Sequence, residues 1–311
     1  MKKIFLLLFA TMSISILFTA CNNSKSGGGD VVDLKLNLQK GKTYTYTMKT
    51  NMNMDMEVMG KPMNTTGNID FGFRMNVEDI DAQNNYRIAT TYDAIRFKMN
   101  AMGMDMGYDS KNVGDTTREN MVNGMMRKIF GGMMGKTFKI TMSPKGEVLK
   151  IEGLKELVEA MEANIEVSEQ MKAAMHKQMS ESFSEDQIKQ SFAQAFSIYP
   201  DKPVKVGDSW NKNLDRDMSQ VKMSQNLTFT VKEINSSAVV LELTGKIASS
   251  MGKDSTAPAM KMDLSGDEKG TMQMDRNTGM ISQGDIDMDM KMSAMGKPMT
   301  MKVKTTIVSK E

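Results

Sequence analysis

The chain has 311 residues, with 40 basic and 38 acidic side chains, a formal net charge of +2 and one cysteine. The charges are interspersed, without the basic face that nucleic-acid binding requires, and a single thiol excludes a disulfide framework or a Cys-based metal site. Methionine is the oddity: its 37 residues do the work of aliphatic core formers in a body where leucine is scarce.

First in chain order come Lys2 and Lys3, an apolar run from Ile4 to Phe18, and then Thr19-Ala20-Cys21. A basic start, a short apolar stretch and small residues before a cut are the parts of a secretory signal. The run falls short of the about 20 residues that a spanning helix needs. The segment resembles a bacterial lipoprotein signal peptide with its lipobox, Phe18 standing where leucine is usual. That resemblance implies cleavage after Ala20, with a diacylglycerol and a palmitate-like acyl chain on Cys21. Each buried methylene contributes about 0.8 kcal/mol, and two or more chains anchor durably. Asn22 in place of aspartate implies the outer membrane, with the body facing the periplasm. Removing residues 1–20 takes away Lys2 and Lys3 and leaves 38 basic residues against 38 acidic ones. Residues 21–33 are polar and Gly-rich, which predicts a flexible tether. Residues 34–311 are expected to form a single domain: a β half (34–110), a helical middle (111–200) and a second β half (201–311).

From Tyr46 to Val58 the even positions are Tyr46, Met48, Thr50, Met52, Met54, Met56 and Val58, and the odd ones are polar. Such period-two alternation predicts a half-buried strand. After Gly60-Lys61-Pro62 the apolar phase moves to Met63, Ile69, Phe71, Phe73, Met75 and Val77, completing a hairpin. Tyr86 to Met99 reads as a strand whose alternation slips at Asp93-Ala94, which predicts a bulge. Met102, Met104 and Met106 share a further face. Phe138–Met142 and Val148–Ile151, around Ser143-Pro144-Lys145-Gly146, form a small hairpin.

The centre changes period. Thr116–Phe130 reads as a short helix. Leu154, Leu157, Val158, Met161 and Ile165 recur at helical spacing, and Met171, Met175, Met179 and Phe183 extend the stripe after a break near Asn164. Ser184 with Gln187 has the form of a capping box opening a third helix, with Ile188, Phe192 and Phe196 four apart. Tyr199-Pro200 ends it. Trp210 is expected as a packing anchor beginning the first strand of the second half. Leu227–Val231, Val239–Ile247, Met260–Leu264 and Gly270–Met274 are predicted strands, and Asp275–Gly279 a turn. The last hairpin places Ile286, Met288, Met290 and Met292 on one face, turns at Gly296-Lys297-Pro298, and continues through Met299, Met301, Val303 and Ile307. Residues 52–63 and 288–299 are identical at eight of twelve positions. Duplication and convergence on one composition both account for this. The pattern predicts an α+β fold: a large antiparallel β-sheet, open or half-barrel-like, with a central helical segment packed on one face.

The candidate site is the methionine face. Met52, Met54, Met56, Met288, Met290 and Met292 line it, and adaptable thioethers suit an apolar small molecule or lipid. Soft thioethers also select Cu(I), but residues two apart on a strand are about 7 Å apart, so neighbouring strands must contribute. Asp285, Asp287 and Asp289 fall on the solvent phase. Asp275-x-Asn277-x-Gly279 lacks the full spacing of a calcium loop. His176 has no partner His or Cys in sequence. No Gly-x-Ser-x-Gly elbow, P-loop or dinucleotide fingerprint occurs. No catalytic residue, cofactor or metal site is therefore expected. Asp115-Thr116-Thr117 and Asp254-Ser255-Thr256 match a short O-glycosylation signal.

Leu36-x-Leu38-x-x-Gly41-Lys42-Thr43-Tyr44, Pro203-Val-Lys-Val-Gly-Asp-Ser-Trp210 and Asp275-x-x-Thr278-Gly279 resemble motifs of an uncharacterised family of Bacteroidetes lipoproteins. In architecture the chain is similar to periplasmic lipoprotein carriers of the Lol type. That analogy implies a sheet lidded by helices and an apolar cargo. The expected role is thus a non-enzymatic, lipid-anchored binding protein. A structural or assembly lipoprotein with envelope-protein partners and a Met-based copper binder or oxidant scavenger are the alternatives.

Overall fold

A computed structural model describes residues 30–311 apart from 59, 102, 113–120, 197, 219–220, 252–261 and 295–296. Cys21 and both glycosylation matches lie outside the described residues, as do Met102 and the Met295-Gly296 part of the last turn. The N-terminal half forms β1 (Thr43–Val58), β2 (Lys61–Ile80), β3 (Tyr86–Ala101) and β4 (Met104–Asp109). Helix α1 (Met121–Met133) precedes the hairpin β5 (Thr137–Met142) and β6 (Val148–Glu152). Three helices follow: α2 (Leu154–Glu162), α3 (Glu169–Ser182) and α4 (Glu185–Phe196). The C-terminal half forms β7 (Ser209–Met218), β8 (Val221–Ile234), β9 (Ala238–Met251), β10 (Met262–Asp275), β11 (Ile281–Ala294) and β12 (Lys297–Lys310).

All twelve strands join one antiparallel sheet in the order β6-β5-β3-β2-β1-β12-β11-β10-β9-β8-β7, with β4 also on β3. The first and last strands meet at its centre, β1 pairing with β12 from Thr45↔Lys310 to Met56↔Met299. The edges, β6 and β7, do not pair with each other. Helix α4 contacts both. The Ile151 amide of β6 donates to Glu185 Oε1 at 3.4 Å, and Trp210 Nε1 of β7 donates to the Ile198 carbonyl at 2.8 Å. The sheet is therefore curled until its edges stand one helix apart, a half-barrel with α4 in the gap. This blunts edges that would otherwise offer unpaired backbone to another chain.

The mainly apolar phase of the long strands faces inward and the mainly charged phase outward, with Lys61, Lys212, Glu268 and Lys297 as charged residues on the inner phase. Lys49, Asp55, Lys246, Asp267, Asp289 and Lys302 are exposed on the outer side. This polarity is the reverse of a transmembrane barrel, whose outer band is apolar. Among the described residues no helix is long and apolar enough to cross a membrane.

The lower end of the half-barrel is filled. Phe192 and Phe196 of α4 stack on each other at 5.9 Å and meet Phe73, Phe138 and Tyr46 from β2, β5 and β1. Below them a strap, residues 32–38, crosses the opening. Val32 exchanges two backbone hydrogen bonds with Val204 at 2.8 and 2.9 Å. The amides of Leu36 and Asn37 donate to the carbonyls of Pro144 and Thr278 at 2.7 and 2.8 Å. Leu34, Leu36 and Leu38 alternate inward and are buried. The strap thus begins two residues before the body expected from composition.

Several predicted elements are found where periodicity placed them. The β3 bulge falls at Asp93, which the ladder to β2 skips between Ala94 and Tyr92. Ser184 caps α4, its hydroxyl accepting from the Gln187 amide at 3.5 Å. The helical stripe does break after Ala163, between α2 and α3.

Three expectations change. The first helix begins at Met121 in the described residues, and 113–120 lie outside them. The two predicted strands Met260–Leu264 and Gly270–Met274 form one strand, β10, with Met260 outside the described residues. Gly266 and Gly270 do not break it because neighbouring backbone lies close there. A Cβ would fall 2.7 Å from the Asp289 carbonyl oxygen at Gly266 and 2.5 Å from that of Asp285 at Gly270. Helix α3 has no buried residue and packs on α2 and α4 rather than on the sheet, leaving Met171 50% exposed. Only the far end of its stripe, Met179 and the following Phe183, packs against the core.

The strap makes a measurable demand on Gly279. Its φ is +70°, and a Cβ there would overlap the Lys35 carbonyl. Gly207 has φ +90° with nothing within 4 Å of a Cβ. Gly207→Ala is expected to cost about 1 kcal/mol from backbone conformation alone. Gly279→Ala should cost about 3 kcal/mol by adding overpacking to that strain. Thermal or urea unfolding of the pair checks this; equal losses would show that the strap contact contributes nothing.

Candidate functional site

The central pairing brings the two Met-rich hairpins side by side. Strand β1 contributes Met52, Met54 and Met56, and each has a partner on β12, which has one on β11. The rows are Met52–Val303–Met288, Met54–Met301–Met290 and Met56–Met299–Met292. On the other flank Met56 pairs with Met63 of β2, while Met99 of β3 pairs with Met106 of β4. All six predicted methionines therefore lie on one continuous inner surface across three adjacent strands.

Burial changes along that surface. Towards the strap, Phe229, Leu241, Met274, Ile88 and Met75 are at most 1% exposed. At the upper end Met52, Met54, Met56, Met288, Met292, Met299 and Met301 are half-buried, and of the six only Met290 is buried. Helix α1 covers part of the β3–β4 side, with Phe130 against Phe97 and Tyr108 at 6.0 and 5.8 Å. Met104 on β4 is 60% exposed. A shallow depression of about 250 Å³ at the upper ends of β9, β10 and β11 is lined by Ser249, Leu264 and Met292 and also by the outer-phase Asp263, Ser265, Lys291 and Ser293, so it lies at the rim of the sheet and is not itself apolar. Among the described residues the upper inner face is thus a half-open, methionine-lined trough rather than a filled core.

One polar pair in this interior escapes a search for motifs. Glu268 lies on the inner phase of β10, opposite Met288 on β11 and Gly245 on β9. It is 5% exposed, and Gln225 of β8 is 4% exposed. Gln225 Nε2 donates to Glu268 Oε2. The two side chains meet across β9 because Gly245 has none. A Cβ there would come 2.7 Å from Leu227 Cδ2 and 3.3 Å from Glu268 Cβ. Burial pushes the Glu268 carboxyl above the usual carboxylate range, and the Gln225 hydrogen bond opposes that in part. The signal available in the sequence is a glutamate on the apolar phase of a strand, with a glycine two residues away on either side.

The other candidates have structural occupations. Asp275 Oδ1 accepts from the amides of Asn277 and Thr278 at 3.0 and 2.8 Å, so the turn uses the carboxylate. His176 Nδ1 lies 2.9 Å from Glu162 Oε2 and ties α3 to α2. Trp210 stacks on Phe229 at 5.6 Å. Asp285, Asp287 and Asp289 lie on the outer phase, and Asp285 accepts from Thr306 Oγ1 at 3.1 Å. Among the described residues no three His, Cys, Asp or Glu side chains are grouped to hold a metal.

The buried acid has a pH signature. Its folded-state pKa is raised above the unfolded value, so the unfolded chain loses the proton first. Between the two pKa values unfolding releases a proton, and stability falls as pH rises. Glu268→Gln is expected to gain stability relative to the wild type on going from pH 4 to pH 8. Urea titrations at both pH values test this; a pH-independent difference would contradict the raised pKa.

Similar folds occur among solved structures at great distance. Lipovitellin, in a structure concerning its lipid–protein interactions, shares 8% identity over 88% of this chain and 26% of its own, with a TM-score of 0.47. The chain thus spans about a quarter of the lipovitellin chain. The COG4313 outer membrane channel from Pseudomonas putida F1 shares 8% identity over 88% of this chain and 97% of its own, at a TM-score of 0.23. OccK8 (OprE) from Pseudomonas aeruginosa shares 4% identity over 88% and 99%, at 0.20. At these scores the likenesses carry no functional argument. No curated protein matches the chain. Residues 83–281, from the turn before β3 to the first residue of β11, match DUF6263, a family of unknown function, and the chain belongs to that family.

Proposed function

We propose that the protein is a non-enzymatic lipoprotein, anchored through acyl chains on Cys21 to the periplasmic side of the outer membrane, that binds or carries an apolar or lipid ligand. One observation carries the reading: the methionine rows of β1, β12 and β11 form an apolar stretch of the inner face that, among the described residues, stays half-buried at its upper end while the lower end is filled. Soluble proteins rarely leave a large contiguous apolar surface open without a use for it. Methionine suits that use, because its unbranched thioether repacks around ligands of varied shape. Covering about 300 Å² of apolar surface contributes about 7 kcal/mol before the losses of association. The charged outer phase suits a body held in water by a tether.

The test uses acyl-free protein beginning after Cys21. Native mass spectrometry is expected to find retained lipid, and a fluorescent apolar probe should bind. Met54→Lys with Met301→Lys should weaken the probe more than tenfold while shifting the melting temperature by only a few degrees, since both side chains are half-exposed. Protein that carries no lipid and takes up no probe would sink the proposal.

A second reading has one specific observation behind it. The Met54–Met301–Met290 row sets three thioethers on adjacent strands about 4.8 Å apart, the arrangement a soft Cu(I) site needs and one strand cannot supply. Met301→Leu separates the two readings: it removes a sulfur and keeps the apolar face. Under the ligand reading the variant binds the probe as before. Under the copper reading the wild type competes with a chromophoric chelator for Cu(I) at micromolar metal, and the variant does not.

A further inference from the structure

We infer, building on the apolar-ligand reading, that the trough selects amphiphiles whose headgroup donates a hydrogen bond, a long-chain alcohol or amine, and that Glu268 is the acceptor.

Below the upper rim, where Lys61 and Lys297 open β2 and β12 on the same phase, the inner faces of β1, β2, β3 and β8–β12 carry one Asp, Glu, Lys or Arg among the described residues, Glu268. Its level in the sheet is informative. On the strap side the next inward residues are Gly270 and then the buried Met272; on the open side they are Gly266 and the half-buried Leu264. Glu268 and Gln225 therefore stand where the closed core gives way to the trough. A chain lying along the methionine rows with its polar end inward would bring that end to them.

The chemistry of the acceptor is also defined. Gln225 occupies one carboxyl oxygen, Oε2. No cation pairs with Glu268 among the described residues, and burial is the main influence on its carboxyl. Lys212, on the inner phase of edge strand β7, is engaged instead with Asp201 at 3.7 Å. A buried carboxyl accepts a hydrogen bond from a hydroxyl or ammonium group and, when ionised, disfavours a second carboxylate or a phosphate, because two like charges in an apolar interior destabilise each other. Glu268 is covered by side chains rather than by backbone: Met288 is its cross-strand neighbour, and Leu227, Met290 and Ile286 fill the space over Gly245, Gly266 and Gly270, so a headgroup reaches the carboxyl by displacing side chains, the unbranched Met288 and Met290 among them. A buried acid is costly to keep in a core that could have been apolar, and a ligand donor offsets that cost.

The experiment ranks decanol, decylamine and decanoate, each below its aggregation concentration, as competitors of a fluorescent apolar probe on the acyl-free protein at pH 7.5. The alcohol and the amine are expected to displace the probe at concentrations about tenfold lower than decanoate, the effect of one hydrogen bond to the buried carboxyl. Glu268→Gln, which retains an amide able to bond Gln225, should bring the three within about twofold while still binding the probe. Equal displacement by decanoate in the wild type would overturn the assignment and leave the apolar trough standing. So would a Glu268→Gln protein that keeps the ranking. A wild type that binds no probe would remove the trough reading, and Glu268's role with it. The wild-type ranking decides the matter even if the variant does not fold.

Discussion

A sheet in which every long strand has one mainly apolar face must hide that face, and the whole architecture follows from how it does so. Period-two alternation runs through all the long strands, so twelve strands present a single apolar surface too large for one layer of short helices to cover. Curling reduces the problem. With the edges brought one helix apart, α4 can seal the gap, and Phe192 and Phe196 reach the middle of the sheet from there. The strap closes what remains at the lower end, with Leu34, Leu36 and Leu38 inserted from below. Nothing equivalent seals the upper end among the described residues. The same constraint therefore produces both the stable core and the open trough.

The interior is not uniformly apolar, and its polar atoms mark where packing was not the only demand. The Tyr46 hydroxyl, Thr90 Oγ1 and Gln190 Oε1 are buried without a hydrogen-bond partner among the described residues. Most buried polar atoms find a partner, in protein or ordered water, so these three call for one. Glu268 and Gln225 satisfy each other in part, across a strand that has a glycine where they meet. The inner-face glycines Gly245, Gly266 and Gly270 do a second job. They permit close backbone approach on the concave side, which lets a long sheet coil without steric penalty.

Much of the local structure could be read before any coordinates. The two Met-rich hairpins, the slip at Asp93, the small β5–β6 hairpin and the Ile188–Phe192–Phe196 stripe each rest on a periodicity spanning few residues, and each is found. What went astray went astray for physical reasons. Residues 265–269 fall between two predicted strands; flanked by β9 and β11, they are held by ladders on both sides and join the two into one. Of the predicted stripe Met171, Met175, Met179 and Phe183, the last two pack against the core while Met171 is left exposed at the start of α3. Glu268 was passed over because a single acid in a strand has no motif, and its meaning depends on Gln225, 43 residues away.

By itself the sequence determined the strand faces, the helix faces and the sites of bulge and turn, because each of these depends on side chains within one or two turns of chain. It also determined the six methionines as one kind of surface. Only the tertiary structure decided that the first and last strands pair, which sets Met54 beside Met301 and Met290 rather than leaving two separate hairpins. Backbone hydrogen bonds are the same for any antiparallel partner, so strand order is settled by how the apolar faces fit together as a whole. Only the tertiary structure, too, decided that the methionine face is half open: exposure depends on where the strap and α4 stop.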